Sequence, residues 1–200
     1  NSSVLMVAHT SCLPFSTQIL LNEACKKRFD AITNYIKTNK SIKKIYISGS
    51  WNYLMSGGYD KTGQNWRLAK SPSPQEIASF LHNGQNFLAL SLMAEKNVTF
   101  MLDIPILNFD IKSCYDIRPL NLHRSSAKNC NLTYLDYKPI ISKKKRILTD
   151  LLSKYPRIRI FDPTSLFCNE DICHQGDTRL PYYYNGDHVN WYGATMVIQA

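Results

Sequence analysis

The sequence predicts an α/β fold in which a parallel sheet of about five strands is flanked by helices on both faces. Short apolar runs with strand character alternate along the chain with segments whose apolar residues recur at helical spacing. This alternation is typical of parallel sheets, because each crossover between parallel strands needs a helix-sized connection. With 200 residues, of which 44 % are hydrophobic, residues 1–200 are long enough for one domain with a sizeable core.

The first quarter of the chain is predicted to contain two strands with a helix between them. Residues 4–8 form an apolar run that ends in polar residues, as in a buried strand that leads into a loop. Residues 22–37 are predicted to form an amphipathic helix, whose apolar positions are Cys25, Phe29, Ile32 and Ile36. Residues 45–47 follow as a second buried strand, which runs into Ser48-Gly49-Ser50.

In the middle of the chain, a helix is predicted to begin close to Ser73. Ser73 is a candidate cap, Pro74 suits the first helical position, and Glu76 completes a capping box, so we expect a helix that runs to residue 95. Residues 98–104 are predicted to form a third strand, which ends at Pro105. From there to Tyr137 no periodicity is visible, which indicates a long loop.

The remaining elements alternate in the same way. A third helix is predicted for residues 140–155, and a fourth strand for residues 158–161. A last helix begins at Trp191. In a sheet of this kind, ligands bind outside the carboxyl ends of the strands.

Six cysteines fall in three local pairs. We interpret the pairs as disulfides, which places the chain in an oxidising compartment. Zinc is the alternative, but it needs ligands at short spacings, and no two cysteines here are separated by two residues. We therefore expect no metal and no cofactor. The pairs are Cys12 with Cys25, Cys114 with Cys130, and Cys168 with Cys173.

The chain is basic, with a formal net charge of +9. The basic residues cluster in residues 40–44 and 143–146. A solvated face is the default interpretation of such clusters, and anionic lipid headgroups or acidic polysaccharides are the partners that they would favour. No nucleic-acid-binding motif is visible, and disulfides point away from compartments that hold DNA, so nucleic acid is not expected as a partner. No apolar run of about eighteen residues is present to span a bilayer.

Residues 182–194 place His188 between an aromatic-rich loop and a predicted helix start. An imidazole at such a junction can transfer protons near neutral pH. Asn185 and Asp187 are close enough in sequence to compete for the second ring nitrogen. A capping loop whose histidine only hydrogen-bonds its surroundings is the alternative interpretation.

Several ordered motifs together resemble the SGNH-hydrolase-like domains that are fused to membrane acyltransferase-3 proteins. Those proteins are O-acetyltransferases of bacterial lipopolysaccharide O-antigen and related glycans. The resemblance implies a flavodoxin-like three-layer sandwich and extends over nearly the whole chain. It rests on residues 10–15 with Cys25, residues 45–51 with their strand and tryptophan, residues 104–105 with 114–118, residues 161–173, and residues 184–194.

The resemblance implies a serine-type acyl-transfer site with a Gly-Asp-Ser block and an Asp-x-x-His block. His188 matches the catalytic histidine, which takes the serine proton and returns it to the leaving oxygen. The orienting aspartate of that block corresponds to Asn185 in this chain. Asp187 is the alternative orienting residue, although its adjacency to His188 makes it awkward for the carboxylate to reach the ring.

No Gly-Asp-Ser occurs in this sequence, and its first segment matches what the family has after that block. We therefore expect the nucleophile upstream of Asn1, in a first strand that the chain lacks, and the last helix to continue beyond Ala200. Ser50 and Ser11 are alternatives within the chain. Gly49 is a candidate contributor to an oxyanion hole.

Two aromatic residues are candidates for contact with a sugar. Trp51 either lines the substrate site, beside Ser50, or fills the core. Tyr184 belongs to a tyrosine cluster that either faces a carbohydrate or packs beside the sheet.

The expected function is transfer of an acetyl group to a hydroxyl of a cell-surface glycan, with an acyltransferase-3 domain on the same polypeptide as membrane partner. The resemblance implies a periplasmic or extracytoplasmic location, tethered to the inner membrane. A carbohydrate O-acetylesterase, in which water is the acceptor, is a second possibility. A catalytically inactive glycan-binding module is a third, because the chain lacks Gly-Asp-Ser and has Asn185 in place of aspartate.

Overall fold

The computed structural model describes residues 4–7, 12, 14–15, 23–51, 73–107, 109, 111, 114, 132–177 and 180–200. Helices and strands alternate along these residues, and the strands of the larger sheet are parallel, so the predicted α/β class is confirmed. In chain order the elements are α1 (Glu23–Thr38), β1 (Lys44–Ile47), α2 (Pro74–Met93), β2 (Asn97–Met101), β3 (Leu132–Thr133), α3 (Tyr134–Leu152), β4 (Arg159–Phe161), α4 (Thr164–Phe167), β5 (Ile172–Cys173) and α5 (Trp191–Gln199).

The main sheet has the strand order β1-β2-β4. Its register pairs Ile45 with Val98, and Phe100 with Ile160. The described residues give this sheet three strands, fewer than the five or so predicted. All three run in the same direction, so their carboxyl ends, and the segments that follow them, lie at one edge.

A second, two-stranded sheet is antiparallel and was not predicted. It pairs β3 with β5 through Leu132 opposite Cys173 and Thr133 opposite Ile172. The Cys168–Cys173 disulfide lies at the same place. This small sheet anchors the beginning of α3.

The larger core cluster lies between the parallel sheet and the helices. Helix α1 contributes Ile36, α2 contributes Phe80 and Leu88, and α3 contributes Leu148 and Leu151. The apolar positions predicted for α1 are confirmed, since Cys25 and Ile36 are buried and Phe29 and Ile32 pack against the cluster.

A second buried cluster lies beneath the segments that follow the strands. Its buried members are Leu107, Ile111, Leu132, Tyr137, Ile141, Phe167, Cys173 and Tyr183. Here Leu107 and Ile111, which follow β2, pack with residues of α3, α4 and the loop before α5. This cluster supports the loop that carries His188.

Several predicted elements differ from the structure. Strand β2 ends at Met101 rather than at residue 104. Residues 4–7 are exposed and form no strand, since they are not paired with any of the described strands. Helix α3 begins at Tyr134 rather than at residue 140 and passes through Pro139. The earlier start arises because Thr133 caps the helix, accepting a hydrogen bond from Asp136 N at 3.1 Å.

The start of α2 and two of the disulfides are as predicted. Ser73 and Glu76 form the capping box, with Pro74 in the first turn, although the helix ends at Met93 rather than at residue 95. Cys12 is bonded to Cys25, and Cys168 to Cys173. Cys114 is also disulfide-bonded, whereas its predicted partner Cys130 lies outside the described residues.

Candidate active site

The loop before α5 is a tight hairpin. Tyr184 N donates a hydrogen bond to His188 O at 2.7 Å, and Tyr183 pairs with Val189 as an isolated antiparallel bridge. Asn190 closes the hairpin: its Oδ1 caps α5 by accepting from Tyr192 N, and its Nδ2 donates to Pro181 O at 2.6 Å. The backbone around His188 is therefore fixed from both sides.

The same hairpin is attached to the segment that follows β2. Tyr183 Oη donates to Pro105 O at 2.8 Å, and Leu107 N donates to Gly186 O at 2.8 Å. Burial raises the pKa of the Tyr183 hydroxyl well above its ordinary value, so this group stays a neutral donor. These bonds hold the hairpin at the edge of the sheet where the strands end.

Asn185 shapes the turn that presents the histidine. Its Oδ1 accepts hydrogen bonds from Asp187 N at 3.1 Å and from His188 N at 2.8 Å. Two backbone donors at one atom identify that atom as the amide oxygen, because an NH2 group cannot accept them. The orientation of the Asn185 amide is therefore set by the backbone.

The His188 ring contacts two oxygen atoms through one nitrogen. Its Nδ1 lies 2.9 Å from Asn185 Oδ1 and 2.8 Å from Asp187 Oδ1. The amide oxygen is an acceptor, and so is an ionised carboxylate, so Nδ1 of the neutral ring carries the proton and Nε2 has the free lone pair. The His188 side chain is 69 % exposed and that of Asp187 12 %, so the base faces solvent and its acidic partner is mostly shielded.

This arrangement can perform general-base chemistry. A neutral imidazole with Nε2 as acceptor can take a proton from a hydroxyl, and a carboxylate on Nδ1 stabilises the imidazolium that forms. Asp187 reaches the ring despite its adjacency, contrary to the expectation from the sequence. An asparagine in the orienting position costs a serine triad about 10⁴ in kcat when it favours the wrong tautomer, and the fixed Asn185 oxygen favours the correct one.

The residues at the end of β1 have distinct environments. Trp51 is 0 % exposed and stacks on Phe100, with Nε1 bonded to Met101 O at 2.7 Å. Its ring therefore fills the core, which was the alternative expectation, and has no face free for a sugar. Ser50 is exposed, and Gly49 O accepts from Trp51 N at 2.9 Å.

Two further residues, Tyr184 and Ser11, were also predicted to belong to the site. Tyr184 is 66 % exposed, next in the hairpin to Asn185. Ser11, the second candidate nucleophile within the chain, lies outside the described residues. The structure thus brings together Asn185, Asp187 and His188.

The sequence reasoning missed Asp103, which follows β2. Its Oδ1 accepts from Trp51 N at 2.9 Å, and its Oδ2 pairs with Lys144 Nζ at 2.6 Å. Asp103 thereby links the end of β1 to α3. Asp103 lies inside the strand predicted for residues 98–104, and a charged residue within that apolar run was the available signal.

A second polar cluster surrounds Asp162, which follows β4. Burial alone would raise the pKa of Asp162, but hydrogen bonds from Thr164 and Lys145 bring the pKa below its ordinary value. Burial, together with the Asp103 charge, raises the pKa of Tyr137, so its hydroxyl remains protonated. Within the described ranges, no group of acidic, histidine or cysteine side chains could hold a metal ion.

Comparison with known families agrees with the resemblance described for the sequence. A protein-family model described as an SGNH domain, fused to AT3 domains, matches residues 1–200. No curated protein matches this chain. Of the helices that the structure describes, none has both the length and the apolar character needed to cross a membrane.

Proposed function

This chain belongs to the SGNH domains that are fused to AT3 domains, and we propose that it helps to transfer an acetyl group to a hydroxyl of a cell-surface glycan. The observation that carries the proposal is the pair of contacts that hold Nδ1 of His188 against Asn185 and Asp187. They leave Nε2 as a solvent-facing base on a rigid support. A histidine base oriented in this way is one of the parts that acyl transfer through a serine requires.

His188 acts as the general base in the proposed reaction. Nε2 takes the proton of a serine hydroxyl as the serine oxygen attacks the acetyl carbonyl carbon, and the proton then passes to the donor's leaving group. In the second half, a sugar hydroxyl attacks the acetyl-serine and gives its proton to Nε2. That proton returns to the serine oxygen as the acetylated sugar departs.

We propose that the serine is supplied by a Gly-Asp-Ser block on a strand upstream of Asn1. Among the described residues, β1 is hydrogen-bonded to a strand on one edge only, and Tyr46 on it is exposed. The exposed apolar residues Val4 to Val7 are also without a strand partner in the described part of the chain. A strand added beside β1 would pair with its open backbone groups. In a parallel arrangement, the carboxyl end of the added strand would lie on the same side of the sheet as Asp103 and His188.

The fusion to AT3 domains implies a membrane tether on the same polypeptide. We propose that the membrane domain provides the acetyl donor and that the present domain lies on the extracytoplasmic side, in the periplasm of a bacterium that acetylates lipopolysaccharide O-antigen. Disulfides at Cys12–Cys25 and Cys168–Cys173 support an oxidising compartment. The net charge of +9 suits an anionic glycan as acceptor.

The second candidate is an inactive glycan-binding module, and the observation that favours it is Asn185 at the position of the family's aspartate. A neutral amide cannot stabilise an imidazolium. Asp187 weighs against this candidate because its carboxylate contacts the same nitrogen at 2.8 Å.

The test is an acetylation assay on the full natural polypeptide, with acetyl transfer to a glycan and acetyl release to water measured in parallel. We expect His188→Ala to lower transfer by about 10²- to 10⁴-fold, as loss of a general base does. The matched control is His174→Ala, which removes another exposed histidine with an asparagine neighbour and should leave activity unchanged. Release to water without transfer would indicate an esterase, and glycan binding with no turnover would indicate an inactive module.

A further inference from the structure

Asn185 is followed by Gly186, and we propose that this pair is a deamidation site which converts the residue 185 amide into a carboxylate beside His188. Asparagine is chemically labile, and a glycine after it leaves the backbone nitrogen open to approach. The modification itself is independent of the enzymatic activity. Its consequence for catalysis rests on the function proposed above.

The reaction needs water as its sole co-reactant. The backbone nitrogen of Gly186 attacks Cγ of Asn185, a C–N bond forms, and ammonia leaves with the proton of that backbone nitrogen. Water then opens the resulting succinimide. Cleavage of the bond between Cγ and nitrogen gives aspartate, whereas cleavage at the main-chain carbonyl gives isoaspartate.

The hairpin stabilises the charge that develops in this attack. Negative charge builds up on Oδ1 of Asn185, and that atom already accepts from Asp187 N at 3.1 Å and His188 N at 2.8 Å. Preorganised backbone donors at a developing oxyanion are the means by which enzymes stabilise acyl-transfer intermediates. Asn185 is half-buried, and Gly186 is buried as Gly84 is, but within the described residues no hydrogen bond from Gly186 N is found that would have to break before the attack.

The product would change the electrostatics of the site. A carboxylate oxygen at the Asn185 position lies 2.9 Å from Nδ1 of His188. A second negative charge there stabilises the imidazolium form more than the neutral amide does. Deamidation would thus supply the aspartate that the resemblance to acyltransferase-associated domains places at position 185.

The chain contains its own control in a second Asn-Gly pair, Asn83-Gly84. This pair lies inside α2, where backbone N–H groups take part in the helical hydrogen bonds. Gly84 is buried, and Asn83 Nδ2 donates to Phe15 O at 3.0 Å. Local unfolding of the helix would have to precede deamidation at Asn83.

The experiment is peptide mapping by mass spectrometry of the folded full polypeptide, incubated for increasing times at mildly alkaline pH. We expect Asn185 to deamidate at least about tenfold faster than Asn83, because the helix protects Asn83 until it opens. In denaturant the two rates should converge. Equal rates in the folded protein, or faster reaction at Asn83, would overturn the proposal.

The linkage of the product is the second readout. Aspartate with a normal main chain among the products at residue 185 supports the proposal, and isoaspartate alone contradicts it.

Asn185→Asp reproduces the expected product from the start, and Asn185→Gln resists the reaction because its ring closure is slower. We expect acetyl transfer to increase as wild type ages and to stay constant in Asn185→Gln. If aspartate forms but neither aged wild type nor Asn185→Asp transfers acetyl, the proposed function fails while the modification stands.

Discussion

Lys144 Nζ lies 2.6 Å from Asp103 Oδ2, and the two side chains are only 6 % and 7 % exposed. The other oxygen of Asp103 accepts from Trp51 N at 2.9 Å. A single carboxylate thus connects α3, the end of β2 and the segment after β1. Pro105 and Leu107, a few residues further along, hold the His188 hairpin.

Removal of one partner from this buried pair should strongly destabilise the fold. Lys144→Met leaves the Asp103 charge buried, and such a change costs about 3–5 kcal/mol. The control is Lys145→Met, which breaks the more exposed pair with Asp162 and should cost about 1 kcal/mol or less. Urea unfolding of both variants measures the difference. Equal losses in the two variants would contradict the structural role given to Asp103.

Trp51 should behave as a core residue rather than as a binding residue. Its ring is fully buried among Phe15, Phe80 and Phe100, so Trp51→Ala should lower the free energy of unfolding by about 3–5 kcal/mol. Trp191→Ala, at a tryptophan that is 79 % exposed, should change it by about 0.5 kcal/mol or less. Thermal or urea unfolding tests this, and similar stability of Trp51→Ala and wild type would show that the ring is not in the core.

The stability contributed by Asp162 should depend on pH. Its pKa is lower in the folded protein than in the unfolded chain, so the contribution is fully present above the unfolded pKa of about 4. It is lost as the pH falls through the folded value. Asp162→Asn should therefore be less stable than wild type at pH near 7, by about 1 kcal/mol or less for this partly exposed group. The two proteins should converge in acid, and a difference in unfolding free energy that persists there would contradict this account.

Asp187 should be needed for catalysis. Its carboxylate contacts Nδ1 at 2.8 Å and is well placed to stabilise the protonated ring, so Asp187→Ala should lower kcat for acetyl transfer by about 10²-fold or more. Asp171→Ala, at an exposed aspartate after β4, serves as the control. Steady-state kinetics on the full polypeptide provide the measurement. Unchanged kcat in Asp187→Ala would leave orientation of the ring to Asn185 alone.

The sequence predicted those features that depend only on residues close together along the chain. The capping box of Ser73 and Glu76 and the apolar face of α1 depend on residues a few positions apart, and both are found in the structure. Elements with distant partners were harder to predict. Residues 4–7 look like a strand, but strand formation needs a neighbouring backbone. Thr133 caps α3 where the chain is already held by pairing with Ile172.

The candidate site was predicted in part. Asn185 and Asp187 were expected, from their closeness in sequence, to compete for the second ring nitrogen of His188, and an oxygen of each lies near Nδ1. Asp187 was underestimated because adjacent side chains ordinarily diverge, whereas the turn around Asn185 Oδ1 brings its carboxylate to the ring. Asp103 could not be placed from the sequence, because its partners Trp51 and Lys144 are distant along the chain.

The central claim is that Nδ1 of His188 carries the proton and Nε2 is the base. The most direct test is the ¹⁵N chemical shifts of the His188 ring in the folded protein, measured at a pH where the ring is neutral. The two acceptor oxygens at 2.9 and 2.8 Å from Nδ1 predict a protonated Nδ1 and an unprotonated Nε2. A ring protonated at Nε2 would contradict the claim, because that tautomer has no lone pair directed towards a substrate hydroxyl.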